Sequence, residues 1–144
     1  MILVDTTVLV YAVGGEHPLR QPCRTIVSAV GDGSILATTT VEMIQEFAHV
    51  RARRRGRADS TAVARSYAKL FSPLLVLDET DLESGLELFG RHGSIGSFDA
   101  VVAAATIRRD GILVSAFHGF KVVEGLAMLN PAAPDLLHHL QQEG

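Results

Sequence analysis

Short, wholly apolar runs alternate with longer stretches of helical periodicity, and this alternation predicts the fold class. Ile2–Val4 is a β-branched-rich run that reads as a buried strand. Residues 6–12 predict a helix that Gly14-Gly15 and Pro18 break. A second helix is expected over 23–30, a short strand over 35–38, and a helix over 41–54 with Thr40 as its cap and Gly56 as its stop. Further along, the pattern predicts a helix over 60–70, a strand over 74–77 and a helix over 81–91 capped by Asp81. Ser97 is the expected cap of an Ala-rich helix over 98–109, which Gly111 ends before a strand over 112–115. Residues 122–123 and 127–129 are weaker strand candidates, and 134–142 reads as a terminal helix. Apolar strands separated by helices imply an α/β fold with a mostly parallel sheet covered on both faces.

Such sheets build their sites beyond the carboxyl ends of the strands, and this draws attention to the acids. Asp5 closes the first strand, Glu42 and Glu46 lie on the helix after the second, and Asp99 sits in the first turn of SFDAVVAAA, an apolar context where an acid needs a partner. At about 100° per residue, Met43, Ile44, Phe47 and Val50 define the buried face of the glutamate helix. Glu46 then falls at the boundary of that face, partly buried, and Glu42 points toward solvent in a supporting or surface position. Each acid also has a plain structural reading: Asp5 and Asp99 suit helix starts, and both glutamates suit solvent. Should they converge, their mutual repulsion requires either that one keep a proton or that a divalent cation neutralise them. A few carboxylates with waters make a typical magnesium site, and manganese suits the same ligands. The chemistry this implies is metal-assisted attack of water on a phosphodiester.

Composition narrows the setting. The chain has 144 residues, expected to form one domain over 1–144, with 47% hydrophobic and 20% charged residues. A formal net charge of −3 excludes a global positive field, so nucleic acid would have to meet a local patch. That patch is RARRRGR, which brings Arg51, Arg53, Arg54, Arg55 and Arg57 together. It reads as a surface for RNA phosphates or for an acidic protein partner, or as a solvated helix end whose cations complement the dipole. Cys23 is the only cysteine, which excludes an intrachain disulfide and a cysteine-based zinc site. No apolar run is long enough for a transmembrane helix and no signal-peptide pattern is present, so a cytoplasmic protein without membrane attachment is expected.

Four stretches in order, ILVDTTVLVYAV, TTTVEMIQEFAHVRARRRG, SIGSFDAVVAAAT and GILVSAFHGF, resemble the PIN domain, specifically toxins of the VapC type from toxin–antitoxin pairs. The resemblance runs from Ile2 to about Pro131, and its more specific parts are Asp-Thr after the first strand and F-D-A-x-x-A-A. It implies an α/β/α sandwich and a magnesium- or manganese-dependent endoribonuclease. By motif match the catalytic and metal-holding acids are Asp5, Glu46 and Asp99, with Thr6 and Ser115 nearby. It further implies an RNA substrate, a cognate VapB-type antitoxin and a homodimer. One position departs from the family pattern S-A-D-x-x-F: the chain reads Ser115-Ala116-Phe117-His118-Gly119-Phe120, so Phe117 stands where a fourth acid is expected. The alternative is therefore a catalytically weak or inactive PIN-like module that binds RNA or protein. A phosphotransfer enzyme ranks well behind, because Thr7 occupies the place where a haloacid-dehalogenase-like start needs a second aspartate.

Overall fold

The computed structural model describes residues 1–143. Its sheet has three parallel strands, β1 (Ile2–Val4), β2 (Ile112–Val114) and β3 (Ala127–Leu129), in that spatial order. The register pairs Leu3 with Leu113 and Leu113 with Met128. Side chains alternate across a strand, so this register sorts the apolar residues into two layers. Ile2, Val4, Ile112 and Val114 face one core, filled by Val8, Leu9, Ile26, Phe47, Tyr67, Phe71 and Leu140. Leu3 and Leu113 face the other, filled by Met43, Ala100, Val102, Ala103 and Phe120.

Among the described residues seven α-helices cover the two faces: α1 (Thr6–Val13), α2 (Arg20–Gly31), α3 (Val41–Arg55), α4 (Arg57–Leu70), α5 (Glu79–Arg91), α6 (Ser97–Arg108) and α7 (Leu136–Glu143). The result is the expected α/β/α sandwich with a parallel sheet. Helices α5 and α6 approach closely because Gly85 lacks a side chain; a Cβ there would lie 2.5 Å from Val101 Cα. Among the described residues no helix is long and apolar enough to cross a membrane.

Several expected elements differ. The strands expected over 35–38 and 74–77 contract to isolated parallel bridges, Leu3–Thr38 and Thr40–Leu75. Threonine hydroxyls compete for the backbone there. Thr38 Oγ1 donates to the Pro73 carbonyl at 2.9 Å, and Thr39 Oγ1 to the Val4 carbonyl at 2.8 Å, while Thr40 caps α3 as expected. Helix α5 begins earlier than expected. Asp78 is its cap and Asp81 is the third helical residue, the two joined in a reciprocal capping box. Ser97 opens α6 without capping it, and Gly96 holds the cap position. Residues 122–123 are not a strand, since Val122 ends a 3₁₀ turn, His118–Val122.

Candidate carboxylate site

The first strand delivers Asp5 to the carboxyl edge of the sheet, where its extended backbone caps α1. Its carboxylate is held from both sides. Thr7 Oγ1 donates to Oδ2 at 2.8 Å, and Ser115 Oγ, one residue past β2, donates to the same oxygen at 2.7 Å. Thr7 Oγ1 in turn accepts the Ala116 backbone N–H at 3.0 Å. Among the described residues no donor reaches Asp5 Oδ1. Asp5 is only 4% exposed and Ser115 is fully buried, so this carboxylate is fixed in orientation with one oxygen left over.

Helix α3 supplies Glu46, whose Oε2 accepts Thr6 Oγ1 at 2.8 Å. Glu46 is exposed as a residue, not partly buried as the helical wheel implied. Glu42 also departs from expectation: it is half-buried, and its Oε2 is enclosed with no hydrogen-bond partner among the described residues. A wheel sees only its own helix: Met43 and Phe47 share one face of α3, about 40° apart, although they reach different cores. Glu42 lies off that face, and its burial comes from α5 and α6. That residue does not join Asp5 and Glu46. It borders a separate groove with Leu82, Leu86, Phe98 and Val101.

Asp99 enters from the first turn of α6, half-buried and without a protein donor among the described residues. Burial first, and then the charges of Asp5 and Glu46, push its carboxyl up to about 6. Asp5, Glu46 and Asp99 line one cavity of about 350 Å³, together with Thr6, Thr7, Val10, Tyr11, Val50, Arg54 and Phe117. The structure thus brings the three sequence-matched acids together. As placed, no three acid, histidine or cysteine side chains among the described residues form a cluster able to hold a metal ion between them. The donor chemistry nevertheless fits a hard divalent cation: three carboxylates from three separate elements, each with oxygen left free by its protein partners. Magnesium characteristically keeps several waters and takes few carboxylates directly.

The arginine cluster divides. Arg51 is not an available phosphate contact, because its guanidinium is held inside the protein. Nε meets Asp59 Oδ1 at 2.6 Å and Nη1 meets the Val13 carbonyl at 2.9 Å, with the side chain 15% exposed. Arg53, Arg54, Arg55 and Arg57 are exposed. Arg54 alone of the cluster lines the carboxylate cavity, and with Arg55 it also borders a small adjoining pocket between α1 and α3.

Sequence reasoning passed over Thr7 and Tyr11. Thr7 had a legible signal, since a hydroxyl two residues beyond a capping aspartate is placed to bond that side chain. Tyr11 lies one turn further along α1 and carried no signal of its own.

Comparison with known proteins adds an independent line. The PIN domain family matches residues 2–126. Ribonuclease VapC7 of Mycobacterium tuberculosis is 44% identical over 142 residues, covering 95% of this chain and 96% of that protein. Ribonuclease VapC23 of the same species is 30% identical, covering 81% and 92%. Among solved structures, VapBC2 from Rickettsia felis bound to a promoter DNA fragment superposes with a TM-score of 0.71 at 17% identity, covering 90% of this chain and 98% of the matched one. FitAcB from Neisseria gonorrhoeae superposes with a TM-score of 0.69 at 18% identity, covering 91% and 98%. At these identities the structural matches establish the fold.

Proposed function

Because the chain belongs to the PIN-domain family, we propose that it is a divalent-metal-dependent endoribonuclease and the toxin of a type II toxin–antitoxin pair. The observation that carries this reading is the meeting of Asp5, Glu46 and Asp99 in one cavity, with Asp99 raised first by burial and then by the charges of the other two. Magnesium or manganese would be held by these three carboxylates and would supply an activated water and a counter-charge for the phosphodiester. The chain's own contribution is positioning. Ser115 and Thr7 fix Asp5, Thr6 fixes Glu46, and Arg54 offers the substrate a cation at the edge of the same cavity. The names of the VapC ribonucleases support RNA as substrate, and the toxin–antitoxin likeness supports a VapB-type antitoxin as partner and a cytoplasmic setting.

A homodimer belongs to the same proposal. Leu82, Leu86 and Phe89 form an exposed apolar stripe on α5, each between 44% and 50% exposed, at the i, i+4, i+7 spacing of one helix face.

The second reading, a catalytically weak or inactive binding module, is favoured by one observation: Phe117 lines the cavity at the position expected of a fourth acid. RNA cleavage with Mg²⁺, with Mn²⁺ and with EDTA separates the two. Metal-dependent cleavage lost in Asp5→Asn and Asp99→Asn supports the nuclease. Absence of cleavage with every RNA, together with no Mn²⁺ binding at millimolar concentration, selects the binding module. A large gain in Phe117→Asp would identify the missing acid as the limit on activity.

A further inference from the structure

Phe117 is a large apolar ring 39% exposed to solvent, which is unusual for a residue so firmly built in. Its ring packs edge-on against Phe120, with centroids 5.5 Å apart at 81°. Phe120 itself is 1% exposed and part of the core. The ring lies over Gly119, where a Cβ would come within 2.4 Å of its Cζ. A side chain at residue 119 would push the ring from this place. The Phe117 backbone N–H donates to Ser115 Oγ at 3.0 Å, and the same hydroxyl donates to Asp5 Oδ2. The aromatic ring and the first carboxylate are thus registered through a single buried hydroxyl.

Tyr11 opens onto the same cavity from α1, and its ring is stacked on His17 with centroids 4.4 Å apart and planes 28° from parallel. The cavity therefore combines two supported aromatic rings, the carboxylates and the Arg54 guanidinium. Acids and a cation answer a phosphate backbone and its metal. Aromatic faces answer nothing in that backbone, and suit an unpaired base that can stack.

We propose that Phe117 is a stacking platform for an unpaired nucleobase of the RNA, next to the phosphodiester held at the carboxylates, with Tyr11 as a second wall. This rests on the ribonuclease reading and adds to it the side chain that receives the base beside the phosphodiester. RNA is favoured over an antitoxin segment as occupant because the ring is registered to Asp5 and shares its cavity with Arg54.

The chain contains no tryptophan, so Phe117→Trp places a sole indole reporter on the platform. With EDTA present, binding is read without cleavage. Single-stranded oligoribonucleotides are expected to quench that indole, and an oligonucleotide with one abasic position is expected to quench it less. In anisotropy titrations Phe117→Leu is expected to weaken binding by about 5- to 100-fold, with Phe117→Tyr near wild type and all variants melting as folded proteins. Unchanged RNA affinity in Phe117→Leu, or bound RNA that leaves the indole unquenched, would overturn the platform. A loss confined to antitoxin capture in Phe117→Leu would also overturn it and assign the ring to that partner. Failure of the wild-type protein to bind or cleave any RNA, with or without Mn²⁺, overturns the ribonuclease reading itself, a result distinct from the others.

Discussion

Ser115 Oγ lies 2.7 Å from Asp5 Oδ2, a hydrogen bond between residues 110 positions apart that ties the ends of two adjacent parallel strands. Its effect is directional. With Ser115 and Thr7 both donating to Oδ2, the other oxygen of Asp5 is left without a donor among the described residues, in a side chain that lines the cavity. Ser115→Ala removes one of the two restraints without removing the acid. The expected result is metal affinity and cleavage lower by about 10- to 100-fold, with partial recovery in Ser115→Thr. Isothermal titration with Mn²⁺ beside single-turnover cleavage checks both. Unchanged Mn²⁺ affinity in Ser115→Ala would show that orientation of Asp5 does not matter.

Asp99 makes stability depend on pH in the metal-free protein. Its carboxyl is raised from 3.8 to about 6 in the fold, so the folded state holds the proton more tightly than the unfolded one. Below about pH 4 both states are protonated and the group contributes nothing. Between about 4 and 6 the fold loses stability as pH rises, and above 6 the whole cost, about 1–3 kcal/mol, is present. Asp99→Asn is expected to be the more stable protein at pH 7.5 in EDTA and to match wild type at pH 4. Urea unfolding at the two pH values tests this, and equal stability at pH 7.5 contradicts it.

Asp81 acts in the opposite sense. Its fully buried side chain accepts both Nη1 and Nη2 of Arg109, at 2.7 and 2.9 Å, and also meets Arg108, joining α5 to α6. Arg109 holds its carboxyl down to about 2, against an ordinary 3.8. The stability it adds is complete above about pH 4 and is lost as pH falls from there toward 2. Asp81→Ala leaves Arg109 without its partner and is expected to cost about 3–5 kcal/mol at pH 7, read from denaturant midpoints.

Arg51 and Arg54 are separated by less than one helical turn and are expected to fail in different assays. Arg51→Ala breaks the tie to Asp59 and Val13 and should lower stability by about 1–3 kcal/mol. Arg54→Ala should leave stability within about 0.5 kcal/mol, weaken RNA binding, and reduce the slope of log K against log salt by about 0.7. Salt titrations of both variants, with melts alongside, distinguish them.

The stripe on α5 gives a test of assembly. Leu86→Glu places a charge in the middle of Leu82, Leu86 and Phe89, which are solvent-facing in the monomer. Sedimentation should move from dimer to monomer at micromolar concentration, with the melting curve of the monomer little changed. A wild-type protein that sediments as a monomer would remove the dimer from the proposal.

Much of the fold was legible because it depends on local pattern. Two separate ILV runs, at Ile2–Val4 and Ile112–Val114, became paired parallel strands in register. Asp5 could be recognised as a strand-end acid, and the acids matching the family motifs share a cavity. The failures cluster where a side chain had a choice of partners. Thr38 and Thr39 spent their hydroxyls on neighbouring carbonyls, and a strand became a bridge. Asp81 was read as a cap because Asp78, three residues earlier, is an equally good cap, and the box the two form together was passed over.

The sequence by itself determined the order of elements, the parallel α/β character and the residue types of the site, because apolar periodicity and strand-end chemistry are local properties of the chain. Only the tertiary structure decided which charges face the cavity. Glu46 and Glu42 lie one turn apart on α3, yet the first meets Asp5 and Asp99 at the carboxylate site and the second meets α5 and α6 in a separate groove. Arg51 and Arg54 stand in one basic run, yet Asp59 and the Val13 carbonyl claim the first and leave the second free. Those outcomes depend on which elements meet across the fold, and no spacing along the chain encodes that.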